Sequence, residues 1–278
     1  RDEVEAVQVD HVRGSAQRRR KESSTNGEWR ARLSGGSLPI QGQSVQGFSG
    51  IVSLGQGEFL ALTDNGFGNK LNSQDALLMV HKVRADWDSG QVSRLQTTFL
   101  RDPDRKVPFF IENENTAERY LTGSDFDPES IQVVGNEWWI GDEFGPYVLR
   151  VDAQGKVLEV IDTVVAGKPY RGPDHYLQSR LPNYPADAGF EVRRSGGFEP
   201  MGRSPDGKTL YATADDNGAT PLFAIDAQSG KVSKVVGDGH IGGYDVNAKG
   251  LVVARDTLAA PACVASVRLS QALVFQSL

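Results

Sequence analysis

Glu129 and Glu199 each open a repeated block of sequence, and Asp64, Asp142 with Glu143, and Asp215 with Asp216 close its three copies. Carboxylates that converge on one place repel one another unless a cation or a proton intervenes. Hard oxygen ligands carried near loops, with backbone carbonyls close by, suit Ca2+ better than Zn2+. The pattern therefore points to a Ca2+ site drawn from Asp64, Glu129, Asp142, Glu143 and Glu199, which would also orient a phosphate or ester oxygen. The competing reading is that Asp and Asn only cap turns here, as in Asp64-Asn65-Gly66 and Asp216-Asn217-Gly218, by bonding nearby backbone.

The blocks that carry these acids read GFSGIVSLGQGEFLALTDNG from Gly47, DPESIQVVGNEWWIGDEFG from Asp127 and GFEPMGRSPDGKTLYATADDNG from Gly197. Each opens with Ser49, Glu129 or Glu199, passes through a glycine-containing turn, and continues in an apolar strand that ends in acid. That is a β-hairpin whose opening residue and closing acids share the end opposite the turn. A second hairpin follows each block: Met79 onward, Tyr147 onward and Leu222 onward, with turns at Asp152-Ala153-Gln154-Gly155 and Asp226-Ala227-Gln228-Ser229-Gly230 in the last two. Two successive hairpins make a four-stranded antiparallel sheet, one blade of a β-propeller. A tandem-hairpin sandwich would share the local pattern, so the propeller rests on the four-strand repeat. A fourth unit is expected from Tyr244 through Gly250–Ala254 to Val267. At roughly 40–45 residues per blade the length suits about six blades, of which four can be placed.

The fold class expected is thus all-β, with residues 1–46 an N-terminal segment and 47–278 the propeller. The formal net charge of −6 and pI near 5.3 argue against a nucleic-acid partner, whose phosphates need a basic face. Arg18-Arg19-Arg20-Lys21 lies in a polar stretch and reads as a solvated loop. No stretch is long and apolar enough to span a membrane. The single cysteine, Cys263, excludes an internal disulfide and reads as a small buried apolar residue. The chain starts at Arg1 with no apolar leader, which reads as a mature or trimmed form.

Several motifs resemble those of the phytase-like family, also described as "esterase-like activity of phytase". They are Phe48-Ser49-Gly50-Ile51 with Ala61–Gly66, Phe126-Asp127-Pro128-Glu129-Ser130-Ile131, Trp139–Tyr147 with its Asp-Glu-Phe-Gly-Pro-Tyr run, and Gly197-Phe198-Glu199-Pro200-Met201. The resemblance implies a propeller-like hydrolase with an esterase or phosphatase activity, often exported, and hence an extracytoplasmic location, periplasmic or secreted. Pro200 departs from the glycine expected there. Tyr211–Asp216, Pro221-Leu222-Phe223 and Arg255–Pro261 are more similar to blades of prolyl-oligopeptidase-type propellers, whose peptidase domain has no counterpart in this chain. Both likenesses imply a propeller.

Other catalytic chemistry finds less support. There is no Gly-x-Ser-x-Gly elbow, no phosphate-binding glycine loop, and Gly66-Phe67-Gly68 is turn punctuation. Ser49 at a blade mouth could be a nucleophile or simply a small residue that packing requires. Of the histidines His11, His81, His175 and His240, none has metal-ligand spacing with another His or Cys. His81 is expected to point outward from a strand, while the loop residues His175 and Arg171 join Glu129 as catalytic candidates. Arg171 and Lys168 could receive an anionic substrate. Asp152, Asp206 and Asp226 are turn residues. Segments 101–126 and 166–196 carry little strand pattern, and Tyr170–Tyr184 is the expected substrate lid. The expected ligand is a small ester or phosphate. The alternative function is a non-catalytic propeller that binds a peptide, sugar or protein partner at the same mouth.

Overall fold

The computed structural model describes residues 47–177, 190–248 and 250–267, together with the backbone of strand 275–277. Residues 1–46, with His11 and the Arg18–Lys21 run, and the 178–184 part of the expected lid lie outside these. Four four-stranded antiparallel sheets follow one another along the chain. Blade 1 comprises β1 (Phe48–Gly55), β2 (Glu58–Thr63), β3 (Met79–Asp86) and β4 (Gln91–Phe99). Blade 2 comprises β5 (Pro128–Val134), β6 (Glu137–Asp142), β7 (Tyr147–Asp152) and β8 (Val157–Asp162). A short hairpin, β9 (Val164–Val165) with β10 (Lys168–Pro169), precedes blade 3, formed by β11 (Met201–Arg203), β12 (Thr209–Thr213), β13 (Leu222–Asp226) and β14 (Val232–Val236). Blade 4 comprises β15 (His240–Asn247), β16 (Gly250–Thr257), β17 (Ala260–Val267) and β18 (Phe275–Ser277). The four placed blades are these sheets; the rest of the length that suggested six lies in residues 1–46 and in the long connections 100–127 and 170–200.

The β period of two explains how the blades stack. On β6, Ile140 points into an apolar cluster shared with blade 1, among Leu60, Leu62, Val80 and Ile131. Its neighbour Trp139 points the other way, into a cluster with Phe198, Leu210, Ala212 and Phe223 of blade 3 and its approach. On β12, Tyr211 turns away from Leu210 and Ala212 to meet Ile241, Leu251 and Val253 of blade 4. A second strand covered on both faces must be apolar throughout, hence the runs Trp138-Trp139-Ile140 and Leu210-Tyr211-Ala212.

Blade 2 is also locked to blade 1 at its outer hairpin. The N–H of Arg101 donates to the Gly155 carbonyl at 2.8 Å, and Val157 N–H donates to the Arg101 carbonyl at 2.9 Å. Gly155 sits at φ +81, and a Cβ there would lie 2.1 Å from the Phe99 carbonyl oxygen, so only glycine fits. The connection 100–127 carries no strand of its own and is held by a buried ion pair instead. Arg119 Nη2 lies 3.1 Å from Asp102 Oδ2, and Arg119 Nη1 lies 2.5 Å from Glu114 Oε1.

Three expectations need correction. His81 is buried, not outward-facing: Nδ1 lies 2.8 Å from Thr97 Oγ1, and burial, with Arg94 adding, pushes its pKa down to about 4. The strand does alternate, but Phe48 and Thr97 cover the face on which His81 lies, its ring 5.6 Å from that of Phe48. Cys263 is exposed although it shares a face of β17 with the buried Ala265 and Val267, because it lies in the half of the strand, Ala260–Val264, that is exposed throughout. The fourth unit starts at His240, four residues before Tyr244.

Candidate active site

Register decides which acids meet. In blade 1 Phe48 pairs with Thr63, which sets Gly47 opposite Asp64, whose N–H donates to the Gly47 carbonyl at 3.2 Å. In blade 2 Pro128 pairs with Asp142, which sets Asp127 opposite Glu143, bonded the same way at 2.9 Å. In blade 3 Met201 pairs with Ala212, so Asp215 takes this station, and its N–H reaches the Gly196 carbonyl at 2.7 Å. In blade 4 His240 pairs with Asp256 itself. Each blade thus delivers an acid at the exit of its second strand: Asp64, Glu143, Asp215 and Asp256. The opening station, two residues before Ile51, Ile131, Met201 and Tyr244, holds Ser49, Glu129, Glu199 and Gly242.

The acids concentrate at blade 2. One carboxylate oxygen from each of Asp127, Glu129 and Glu143 lies within 4.8 Å of the other two. Asp127 is buried and Glu129 and Glu143 are half-buried. Glu199, exposed on the approach to β11, faces the Glu143 carboxyl from blade 3. Burial raises the pKa of Asp127 well above the ordinary carboxylate value, and repulsion from Glu129, Glu143 and Asp142 adds to it, against a hydrogen bond from the Asn65 N–H at 3.2 Å. Burial, then Glu129 and Glu199, pushes Glu143 up to about 8. A cluster of this kind holds either protons or a cation. Its donors are all carboxylate oxygens, one from strand β5 and two from the residues just before β5 and just after β6, which fits a hard divalent ion such as Ca2+.

Asp142 has a different place from the one its neighbour in sequence suggests. It shares its station with Thr63, not with Asp64, and is completely buried. Oδ1 accepts the Asp127 N–H and Oδ2 the Gly145 N–H, both at 2.8 Å. Thr63 does the same job in blade 1, where its Oγ1 accepts the Met79 N–H at 2.9 Å. Burial pushes Asp142 up to about 7, opposed by those two amides and by the charge of Lys70. The residue braces the mouth from below. Glycines let the blades close around it: a Cβ at Gly197 would lie 2.6 Å from the Glu143 carbonyl oxygen and 2.7 Å from that of Asp142.

The three mutually close oxygens include none from the other candidates. Asp64 Oδ1 accepts the Gly66 N–H at 2.7 Å, as a turn-capping aspartate does. His175 has a fully buried side chain, with Nε2 2.9 Å from Asp162 Oδ1 and Nδ1 accepting the Leu177 N–H at 3.1 Å. Both ring nitrogens are therefore engaged. Arg171 Nη2 lies 4.0 Å from Asp162 Oδ2, and Lys168 Nζ lies 3.7 Å from Glu191. Ser49 Oγ is buried with no hydrogen-bond partner among the described residues. Asp215 accepts from Arg193, and Asp216 from the Tyr170 hydroxyl and from Lys234.

Asp127 was the residue that sequence reasoning passed over. Its signal is positional: an acid stands there where the other two blocks have Gly47 and Gly197. Asp256 was hidden by the late start assigned to the fourth unit.

The chain is similar to known proteins over part or most of its length. An "Uncharacterized secreted protein" of Arthroderma benhamiae is 36% identical over 95 residues, 31% of this chain and 18% of that protein. Among solved structures, a protein from Lactobacillus plantarum is 14% identical with a TM-score of 0.46, over 87% of this chain and 57% of its own. The periplasmic gluconolactonase of Pseudomonas aeruginosa is 17% identical with a TM-score of 0.38, over 82% and 70%. The chain thus spans less than two thirds of the Arthroderma and Lactobacillus proteins. The family model described as "Esterase-like activity of phytase" matches residues 43–236, from the start of blade 1 to the end of blade 3, and the chain belongs to this phytase-like family.

Proposed function

We propose that the chain is a hydrolase of phosphoric or carboxylic esters, working at the mouth formed by Asp127, Glu129, Glu143 and Glu199 with a divalent cation, Ca2+ first among them. The observation that carries this reading is the approach of three carboxylate oxygens within 4.8 Å of one another. Asp127, Glu129 and Glu143 would hold the ion. When bound, it would polarise the ester oxygen and make a water more acidic. The residues of the chain supply the rest. Asp142 keeps the Asp127 and Gly145 amides in place, which fixes the direction of the cluster. Glu143 gives up the proton that burial lets it keep near neutral pH, so cation uptake releases protons. Glu199, exposed beside Glu143, takes the proton of the attacking water. An extracytoplasmic setting, where Ca2+ is abundant, fits this reading, and the Arthroderma relative is named as a secreted protein.

The test is hydrolysis of p-nitrophenyl phosphate and p-nitrophenyl acetate with Ca2+ and with EDTA. Ca2+-dependent turnover that Glu143→Gln abolishes is expected. Inactivity on both and on phytate would overturn the enzyme reading in favour of a propeller that only binds.

A further inference from the structure

Apolar clusters join blade 1 to blade 2, blade 2 to blade 3 and blade 3 to blade 4. No comparable cluster joins blade 4 to blade 1 among the described residues. The four blades therefore form an open arc, with one sheet face left over at each end. Residues paired directly across a sheet share a face. On blade 1 the face turned from blade 2 carries Ile51 beside Ala61, then Phe59 beside Val83, with Arg94 at its edge. Ile51 is 66% exposed. Trp87, whose ring stands edge-on 6.3 Å from that of Phe59, is 72% exposed. On blade 4 the face turned from blade 3 carries Asp245 beside Val252, and Ala254 beside Val264. Val252 and Ala254 are half-buried and Val264 is 53% exposed.

These two faces have the composition of covered ones. The second strands of blades 2 and 3 are apolar throughout because a neighbour lies on each side. Strand β2, with Phe59-Leu60-Ala61-Leu62, and strand β16, with Leu251-Val252-Val253-Ala254, are apolar in the same way, yet each meets a neighbouring blade on one side only. At every junction within the molecule, what covers a blade face is another blade face. The two free faces are also complementary. That of blade 1 is aromatic and carries Arg94, while that of blade 4 is small, aliphatic and carries Asp245.

We propose that the chain pairs with a second copy of itself, blade 1 of one protomer stacking on blade 4 of its partner, twice about a two-fold axis. A four-stranded face of about six residues per strand spans roughly 20 by 20 Å. The pair would bury four such faces, roughly 1,600 Å2, the size of a standard stable interface. The closed ring has eight blades, within the usual range for propellers. Closure matters, because the same contact repeated without it builds an open filament. The proposal is independent of the hydrolase reading.

Sedimentation velocity on the full chain tests it. The wild type is expected at twice the chain mass of 30.2 kDa. Ile51→Lys and Val264→Glu each put a charge into both contacts, and each should raise the dimer dissociation constant at least about 100-fold, as burial of an unpaired charge does. Both side chains are more than half exposed, so the variants should fold, and Trp87→Lys replaces Ile51→Lys if that one does not. Mixed in equal amounts, the two variants should associate again. One contact of the mixed pair is then wholly native, and the other sets Lys against Glu. A wild type that is monomeric, or larger than a dimer, overturns the proposal. So does a dimer that survives either substitution, which would lie on another surface, or a mixture that stays monomeric.

Discussion

The N–H of Glu143 donates to the carbonyl of Asp127 at 2.9 Å, and this one bond places two carboxylates of opposite strands on the same side of blade 2. The corresponding bond in blade 1 joins Asp64 to Gly47, which brings only one carboxylate. Blade 2 is therefore where charge accumulates, with Glu129 beside the pair and Glu199 arriving from blade 3. Two exchanges separate the two hairpin ends: glycine for aspartate (Gly47, Asp127) and serine for glutamate (Ser49, Glu129).

Ca2+ is expected to raise the melting temperature. At a hundredfold excess over Kd the gain is about 2.7 kcal/mol, or roughly 5–10 °C for a chain of this size. Glu143→Gln keeps the shape of the side chain and removes one of three converging charges, so it should lose most of that gain. Glu199→Gln should lose less, because Glu199 reaches the cluster only past Glu143, while its hydrolytic rate should still fall. Thermal scans in EDTA and in millimolar Ca2+ decide, and an identical response in wild type and Glu143→Gln removes the cation role.

Without a cation, stability should fall as pH rises through neutrality. Glu143 is raised from 4.5 to about 8, and Asp142 from 3.8 to about 7, so the folded state holds these protons more tightly than the unfolded chain. Their contribution is fully present below the unfolded values and is lost as pH climbs through the folded ones. Urea midpoints in EDTA should therefore decline between pH 5 and pH 8.5. Glu143→Gln should decline less, because its amide does not ionise. Parallel declines in the two proteins would show that Glu143 does not carry the effect.

Asp142→Asn should destabilise the fold by about 1–3 kcal/mol, the cost of a buried donor left without an acceptor. Asp142 presents an oxygen to each of two amides, those of Asp127 and Gly145. Asparagine can present only one, and turns an NH2 toward the other. Urea unfolding measures the loss. A neutral result would mean that the brace is dispensable.

The blades were legible because apolar runs, glycine turns and closing acids repeat along the chain. The sharing of acids was less so. Sequence spacing places Asp142 and Glu143 together, yet pleating sends Glu143 to the mouth and Asp142 beneath it. No periodicity in the sequence shows where the extra residue between Pro128 and Ser130 falls, and that bulge shifts the pairing of β5 against Gly141 and Asp142. His81 was misjudged for a related reason. Alternation tells which residues share a face of a sheet, but not which face meets the next blade.

Gly197 offers the sharpest test of how blade 3 closes on the site. A Cβ there would lie 2.6 Å from the Glu143 carbonyl oxygen and 2.7 Å from the Glu143 Cα, and both are backbone atoms that no rotamer change can move. The neighbouring Phe198 N–H donates to the Asp142 carbonyl at 3.1 Å, so the two strand ends cannot part without breaking that bond. Gly197→Ala should therefore cost about 1–3 kcal/mol, as overpacking does. It should also displace Glu143, and so lower Ca2+ affinity and turnover together. Gly243→Ala is the control: its Cβ meets nothing within 4 Å, and stability should change by no more than about 0.5 kcal/mol. Equal urea midpoints for the two variants would mean that the close approach of blade 3 to Glu143 does not hold the mouth together.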